Sequence, residues 1–144
     1  MINSNAVIAM LTAYTINGVN VLPNVVRGRE TLSENVSPTM PALFVINRGV
    51  KCINPHTELA KSLIDPTGQD LQQYFDIIMQ VPEETFETYW SYMFQALIGK
   101  NPTPAYQNRT AFTYIQGEQI GLQNGIKWNI DRWVIGFPPI YNNL

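Results

Sequence analysis

The chain has 144 residues, of which 45% are apolar and only 14% charged, with a formal net charge of −2. That length suits one domain with a core of its own. The lack of a basic cluster argues against a nucleic-acid footprint, and the single cysteine, Cys52, excludes an internal disulfide framework and a cysteine zinc site. The first residues, Met1 to Asn5, have no basic start and no apolar core of a signal peptide, and no stretch has the length of a membrane span. Folding in a cytoplasm is therefore expected. The missing charge is replaced by Asn, Gln and Thr, which leaves a surface that can be buried against partners without desolvating ions. A plain compositional preference for amides accounts for it equally well.

Residues 4–16 predict a first helix: Asn3 or Ser4 can cap it, and Val7, Ile8, Leu11 and Tyr14 or Thr15 recur at helical steps. Asn17-Gly18 is read as its stop, because Gly tolerates the left-handed conformation past a helix end. Val19 to Val26, broken by Pro23, reads as an extended piece, and residues 27–40 as a long polar loop. Pro41 to Ile46 is the most continuously apolar run in the chain. It is too short for a stable helix and has no polar alternation, so it predicts a strand buried on both faces, with Pro41 at its first position, Leu43 and Phe44 inside, and Asn47-Arg48-Gly49 closing it. Residues 54–70 carry prolines, Gly68 and at most a turn of helix near Glu58 to Lys61.

Leu71 to Val81 alternates, apolar on odd positions except Gln73, and predicts a half-buried strand. The best-marked helix follows. Pro82 suits its first turn, Glu83 and Glu84 complement the positive end, and Gly99-Lys100 stops it. Its aromatic stripe, Phe86, Tyr89, Trp90, Met93, Phe94 and Leu97, is read as core facing a sheet. After Pro102-Thr103-Pro104 comes a strand from Thr110 to Gln116, interrupted or bulged at Gly117. Asn124-Gly125 then predicts a hairpin with a type I′ turn. In the return strand the apolar phase moves from Ile126, Trp128 and Ile130 to Trp133, Ile135 and Phe137. This predicts either a bulge near Asp131-Arg132 or a strand buried on different faces along its length. Pro138-Pro139 should weaken pairing, and within the C-terminal tail 138–144 the residues Ile140 to Leu144 are expected to be free. The whole reads as one α+β domain, with a mainly antiparallel sheet of four to five strands, two helices on one face and a closing hairpin.

Catalytic signals are weak. His56, the only histidine, stands beside Pro55 with no ligand set around it, and Cys52 reads as a small buried apolar residue. Glu83 and Glu84 point about 100° apart on a helix and are not placed to share a substrate. The regularly spaced Gly117, Gly121 and Gly125 lie in a hairpin and open no helix, so they are no phosphate cradle. Arg27 and Arg29 could meet phosphate, although paired or solvated arginines are commoner.

Taken in order, these segments resemble the tail terminator proteins of long-tailed bacteriophages, also called tail-completion or minor tail proteins. The resemblance is carried by a short first helix and extended piece, then by Val26-Arg27-Gly28-Arg29 and a polar loop leading into Met40-Pro41-Ala42-Leu43-Phe44-Val45. It continues with a strand and amphipathic helix ending in a Gly/Pro break, and a closing hairpin that runs to Trp133-Val134-Ile135-Gly136-Phe137-Pro138-Pro139-Ile140. The doubled proline, the short tail to Leu144 and the aromatic second helix depart from the family pattern.

The resemblance implies a non-enzymatic virion protein that needs no cofactor and is assembled in the host cytoplasm. It would form a ring, typically a hexamer, at the head–tail junction, stop growth of the tail tube, and receive the head-closure protein of the neck. DNA would pass through the lumen without specific binding, and no membrane is involved. Arg27, Arg29 and the loop to Met40 are then candidates for contact with a neighbouring subunit or the tube. Pro138, Pro139, Ile140 and Tyr141 are candidates for an arm laid on an adjacent chain, and Glu30 and Glu34 for the lumen. The alternatives are another neck or tail component, such as a head-closure or tube-like protein, or a small hydrolase or ligand-binding domain using His56 and Cys52.

Overall fold

The computed structural model describes residues 2–27, 41–52, 69–103 and 110–140. In chain order the elements are α1 (Ser4–Ala13), β1 (Thr15–Ile16), β2 (Val19–Asn20), β3 (Val25–Arg27), β4 (Ala42–Cys52), β5 (Gln69–Pro82), a 3₁₀ turn (Glu83–Thr85), α2 (Phe86–Leu97), β6 (Thr113–Gln123) and β7 (Ile126–Ile140). The fold is α+β. Its main sheet has the order β3-β4-β5-β7-β6, antiparallel throughout except for the short β3, which runs parallel to β4. β1 and β2 form a separate small hairpin.

Both helices pack on one face of the sheet. Val7 and Leu11 of α1 and Met93, Ala96 and Leu97 of α2 share a core with Leu43, Val45, Phe75, Ile77, Met79, Val81, Trp133 and Ile135. The aromatic stripe of α2 belongs to this core: Phe94 lies 5.5 Å from Trp133, and Tyr114 of β6 lies 5.2 Å from the same ring. On the opposite face Ala42, Phe44 and Ile78 are buried beside Ile46, Trp128 and Ile130, with Phe44 and Trp128 stacked at 6.1 Å. The Pro41 to Ile46 run is thus covered on both sides, as its unbroken apolar pattern requires. The strand in the middle of the sheet, however, is β5.

Several expectations need correction. α1 is capped by Asn3, whose side chain accepts the Ala6 N–H, and it ends at Ala13 rather than residue 16. Asn17 and Gly18, at φ +53° and +77°, are instead the turn between β1 and β2, the same I′-type chemistry as Asn124-Gly125 at +54° and +74°. Asn47-Arg48-Gly49 does not close β4. It is a bulge within the strand, where Gly49 takes φ +93° and its N–H is held by the Asn47 side chain at 2.9 Å, and pairing then continues to Cys52.

β5 is buried on both faces, not one. Gln73, Asp76 and Gln80 are all inside and break the apolar alternation from within. Gln73, the residue out of step, faces the helical layer and clasps the N-terminal backbone, accepting the Ile2 N–H at 3.0 Å and donating to the Ile2 carbonyl at 2.7 Å. In β7 the second of the two alternatives holds. Its register against β5 is continuous from Ile126 to Phe137, and Trp128 and Ile130 lie on one face while Trp133 and Ile135 lie on the other.

Nor does the free tail begin at Ile140. β7 reaches Ile140, which pairs with Gln69, and the irregularity at Pro138-Pro139 falls beyond Val134, where β6 no longer pairs with β7. Proline lacks the N–H that a strand paired on both sides would need, so this stretch with one remaining neighbour tolerates it. Tyr141 lies outside the described residues.

Candidate assembly interface

The sequence at 113–123 builds an open edge. Asn124-Gly125 fixes the hairpin register, Gln123 against Ile126, so β6 pairs with β7 on one side and, among the described residues, has no strand on the other. Over its 11 residues the only charge is Glu118. Ile115, Ile120 and Leu122 are 44%, 51% and 47% exposed. The register slips between Tyr114 and Gln116 and again between Gln119 and Gly121, so Ile115 and Ile120 are the unpaired residues of two bulges. The break expected at Gly117 lies two residues to one side. Proteins usually protect such an edge with charge, proline or a covering element; here bulges bend it while apolar side chains stay in water.

The edge is held rigidly from behind. Phe112 bridges to Ile98 past the end of α2, with Gly99 N–H donating to the Phe112 carbonyl at 3.0 Å and Phe112 N–H to Lys100 at 2.9 Å. One strand further in, the fully buried Asp131 accepts the Trp90 indole N–H at 3.0 Å, the Tyr114 hydroxyl at 2.9 Å and the Asn129 amide at 2.9 Å. Helix α2, β6 and β7 therefore meet at one carboxyl group. A Cβ on Gly117 would run into that group and into the Tyr114 hydroxyl, which explains glycine there without any positive φ. Burial first, and then the bond to Asp131, push the Tyr114 phenol above its ordinary range despite the opposing contact with Trp90.

The helix-free face behind the edge carries a different carboxyl arrangement. Asp76 accepts Arg48 Nε at 2.6 Å and Arg132 Nε and Nη2 at 2.9 and 3.2 Å. Burial pushes its pKa up, but the hydrogen bonds and charges of Arg132 and Arg48 outweigh that, so it sits below the ordinary value of 3.8. In return, the hydrogen bond to Asp76 raises Arg132. Arg48 is the extra residue of the β4 bulge, which lies opposite Phe75 and Tyr74, next to this position. A cavity of about 160 Å³ opens beside it, lined by Asp76, Gln116, Gly117, Glu118, Ile130 and Arg132.

Of the residues singled out from sequence, Pro41, Leu43, Phe44, Trp90, Gly117, Asn124 and Gly125 are all in structural positions. Arg27 ends β3 opposite Val45, while Arg29, Glu30, Glu34, Met40 and His56 lie outside the described residues. Cys52 is the last residue of β4. Pro138 to Ile140 lie at the end of β7. Sequence reasoning passed over Ile115, Ile120 and Leu122, although a nearly charge-free run next to an Asn-Gly turn was the available signal. Among the described residues no group of His, Cys, Asp and Glu is placed to hold a metal ion, and no helix is long and apolar enough to cross a membrane. Comparison with family models and with curated proteins finds no match to this chain.

Proposed function

We propose that the chain is a structural assembly subunit that forms a ring at the head-proximal end of a phage tail, ends growth of the tail tube and offers a docking surface to the neck. The observation that carries the self-assembling part of this reading is the β6 edge. It is a long open strand with one charge and three exposed apolar side chains, rigidly backed by α2 and β7. A strand of this kind is a ready template for pairing with another chain. The position at the tail end rests on the order of segments that resembles tail terminators. Ring closure requires a heterologous contact, two different patches per subunit, so β6 would meet a surface other than itself.

Sedimentation of the purified protein, alone and mixed with cognate tail tubes, tests both parts. A discrete ring, or a monomer that closes into one on tube ends and blocks further growth, is the expected result. A strict monomer that ignores tube ends would overturn the reading, and a ring that assembles but leaves tube growth unaffected would remove its terminator part alone.

A further inference from the structure

The sequence contains the dipeptide Asn-Gly twice, at 17–18 and 124–125, and both copies occupy exposed hairpin turns with positive φ at each residue. We infer that Asn17 is a site of spontaneous deamidation in the folded protein, whereas the chemically equivalent Asn124 is protected by its surroundings. In this reaction the backbone nitrogen of the following glycine attacks the side-chain Cγ. A new N–Cγ bond forms, the amide nitrogen leaves as ammonia, and the glycine nitrogen gives up its proton. Solvent water then opens the cyclic imide at either carbonyl, yielding aspartate or isoaspartate. Glycine favours the step because no side chain shields its nitrogen.

The turn geometry sets what each copy must do before it can react. A type I′ turn holds its first central residue near ψ about +30°, with the next nitrogen turned away from Cγ. Ring closure needs ψ near about −120°, the value found in a type II′ turn, so the central peptide must flip first. The same flip is therefore required at both sites, and its cost depends on what holds each turn.

At Asn17 little does. The ladder beyond the turn consists of Ile16 against Val19 and Thr15 against Asn20, followed by one long bond of 3.4 Å from Val21 N–H to the Tyr14 carbonyl. Residues 17–20 are all exposed. At Asn124 the turn closes the long β6–β7 ladder and is seated on the start of α2. Gly125 accepts the Glu83 N–H at 2.8 Å, and Lys127, two residues on, lies 3.8 Å from the Phe86 ring. Glu83 and Glu84 share a pocket wall with Asn124 and Gly125, and their negative charge opposes the loss of a proton from the attacking nitrogen. Local opening is thus cheap at one copy and costly at the other.

The test is incubation of the native chain in warm, mildly alkaline buffer, followed by peptide mass mapping, with a parallel sample in urea. In the native sample Asn17 should gain the one-dalton shift at least about tenfold faster than Asn124. In urea the two rates should converge, since each glycine is followed by a β-branched residue, Val19 or Ile126. Isoelectric focusing should show an acidic species growing with time, which Asn17→Gln removes. Equal native rates, no native conversion at Asn17, or the same ratio persisting in urea would each overturn the inference.

Discussion

Asp76 and Asp131 are both fully buried, yet the chain satisfies them by opposite means. Asp76 is held by two guanidiniums that stay partly in water, Arg48 and Arg132 at 47% and 42% side-chain exposure. Asp131 is held by three neutral donors, from Trp90, Tyr114 and Asn129. Asp76 and Tyr114 then respond to opposite ends of the pH range. Because the folded-state pKa of Asp76 is depressed, its contribution is complete above about pH 4 and is lost as pH falls through its folded value. Asp76→Asn should therefore cost about 1–3 kcal/mol near neutrality, toward the lower end because both partners are half solvated. It should also flatten the acid limb of a stability profile measured by urea unfolding. Tyr114 is raised, so its contribution is present below pH 10.0 and lost as pH rises beyond it. Tyr114→Phe should flatten the alkaline limb and leave the acid limb in place. Gly117→Ala forces a methyl group against Asp131 and Tyr114, and a loss of about 1–3 kcal/mol is expected in the same assay. Combining it with Tyr114→Phe should recover part of that loss, since one of the two collisions disappears.

At the scale of elements, what could be read from sequence was what local chemistry decides. The end of α2 followed from Gly99, which takes φ +70° where the helix stops, but its start did not: Pro82 ends β5, Glu83 and Glu84 lie in the 3₁₀ turn, and α2 begins only at Phe86. The β6–β7 turn followed from Asn124-Gly125, and the change of phase in β7 left a bulge near Asp131-Arg132 or a strand buried on different faces, of which the structure shows the second. What escaped depended on distant partners. Gln73 looked like an error in an apolar alternation until Ile2 was placed beside it, and Asp76 looked like a solvent-facing residue until Arg48 and Arg132 closed over it. The bulges at Ile115 and Ile120 are slips in the register against β7, a distant partner that the β6 segment alone does not reveal. The first Asn-Gly was misassigned because the same dipeptide serves helix ends and hairpins alike. The β6 edge also carries its own prediction. Ile120→Lys adds a charge to an exposed bulge residue and should change folded stability by less than about 0.5 kcal/mol. It should nevertheless shift the sedimenting species toward monomer. An unchanged assembly would remove β6 from the interface.

For the whole molecule, the sheet order joins strands that are far apart in the chain. β5 and β7 pair from Pro82 against Ile126 to Gln69 against Ile140, and α2 and β6 lie between them in sequence. Among the described residues, the hairpin of β6 and β7 is the only part of the main sheet that closes through a two-residue turn. Time enters here. The hairpin can form within about 1–10 μs, but the central ladder must first close long loops whose entropy is repaid only when the core assembles. Refolding is therefore expected in the range of about milliseconds to seconds. If the hairpin nucleates folding, Gly125→Ala, which places a side chain at φ +74°, should slow refolding by nearly its full effect on stability in stopped-flow measurements. During that interval β6 would present its apolar edge before α2 and Asp131 have fixed its shape. A newly made chain is then open to wrong pairings for as long as the slow ladder takes to close, and the concentration at which refolding is attempted should decide how much of it reaches the native state.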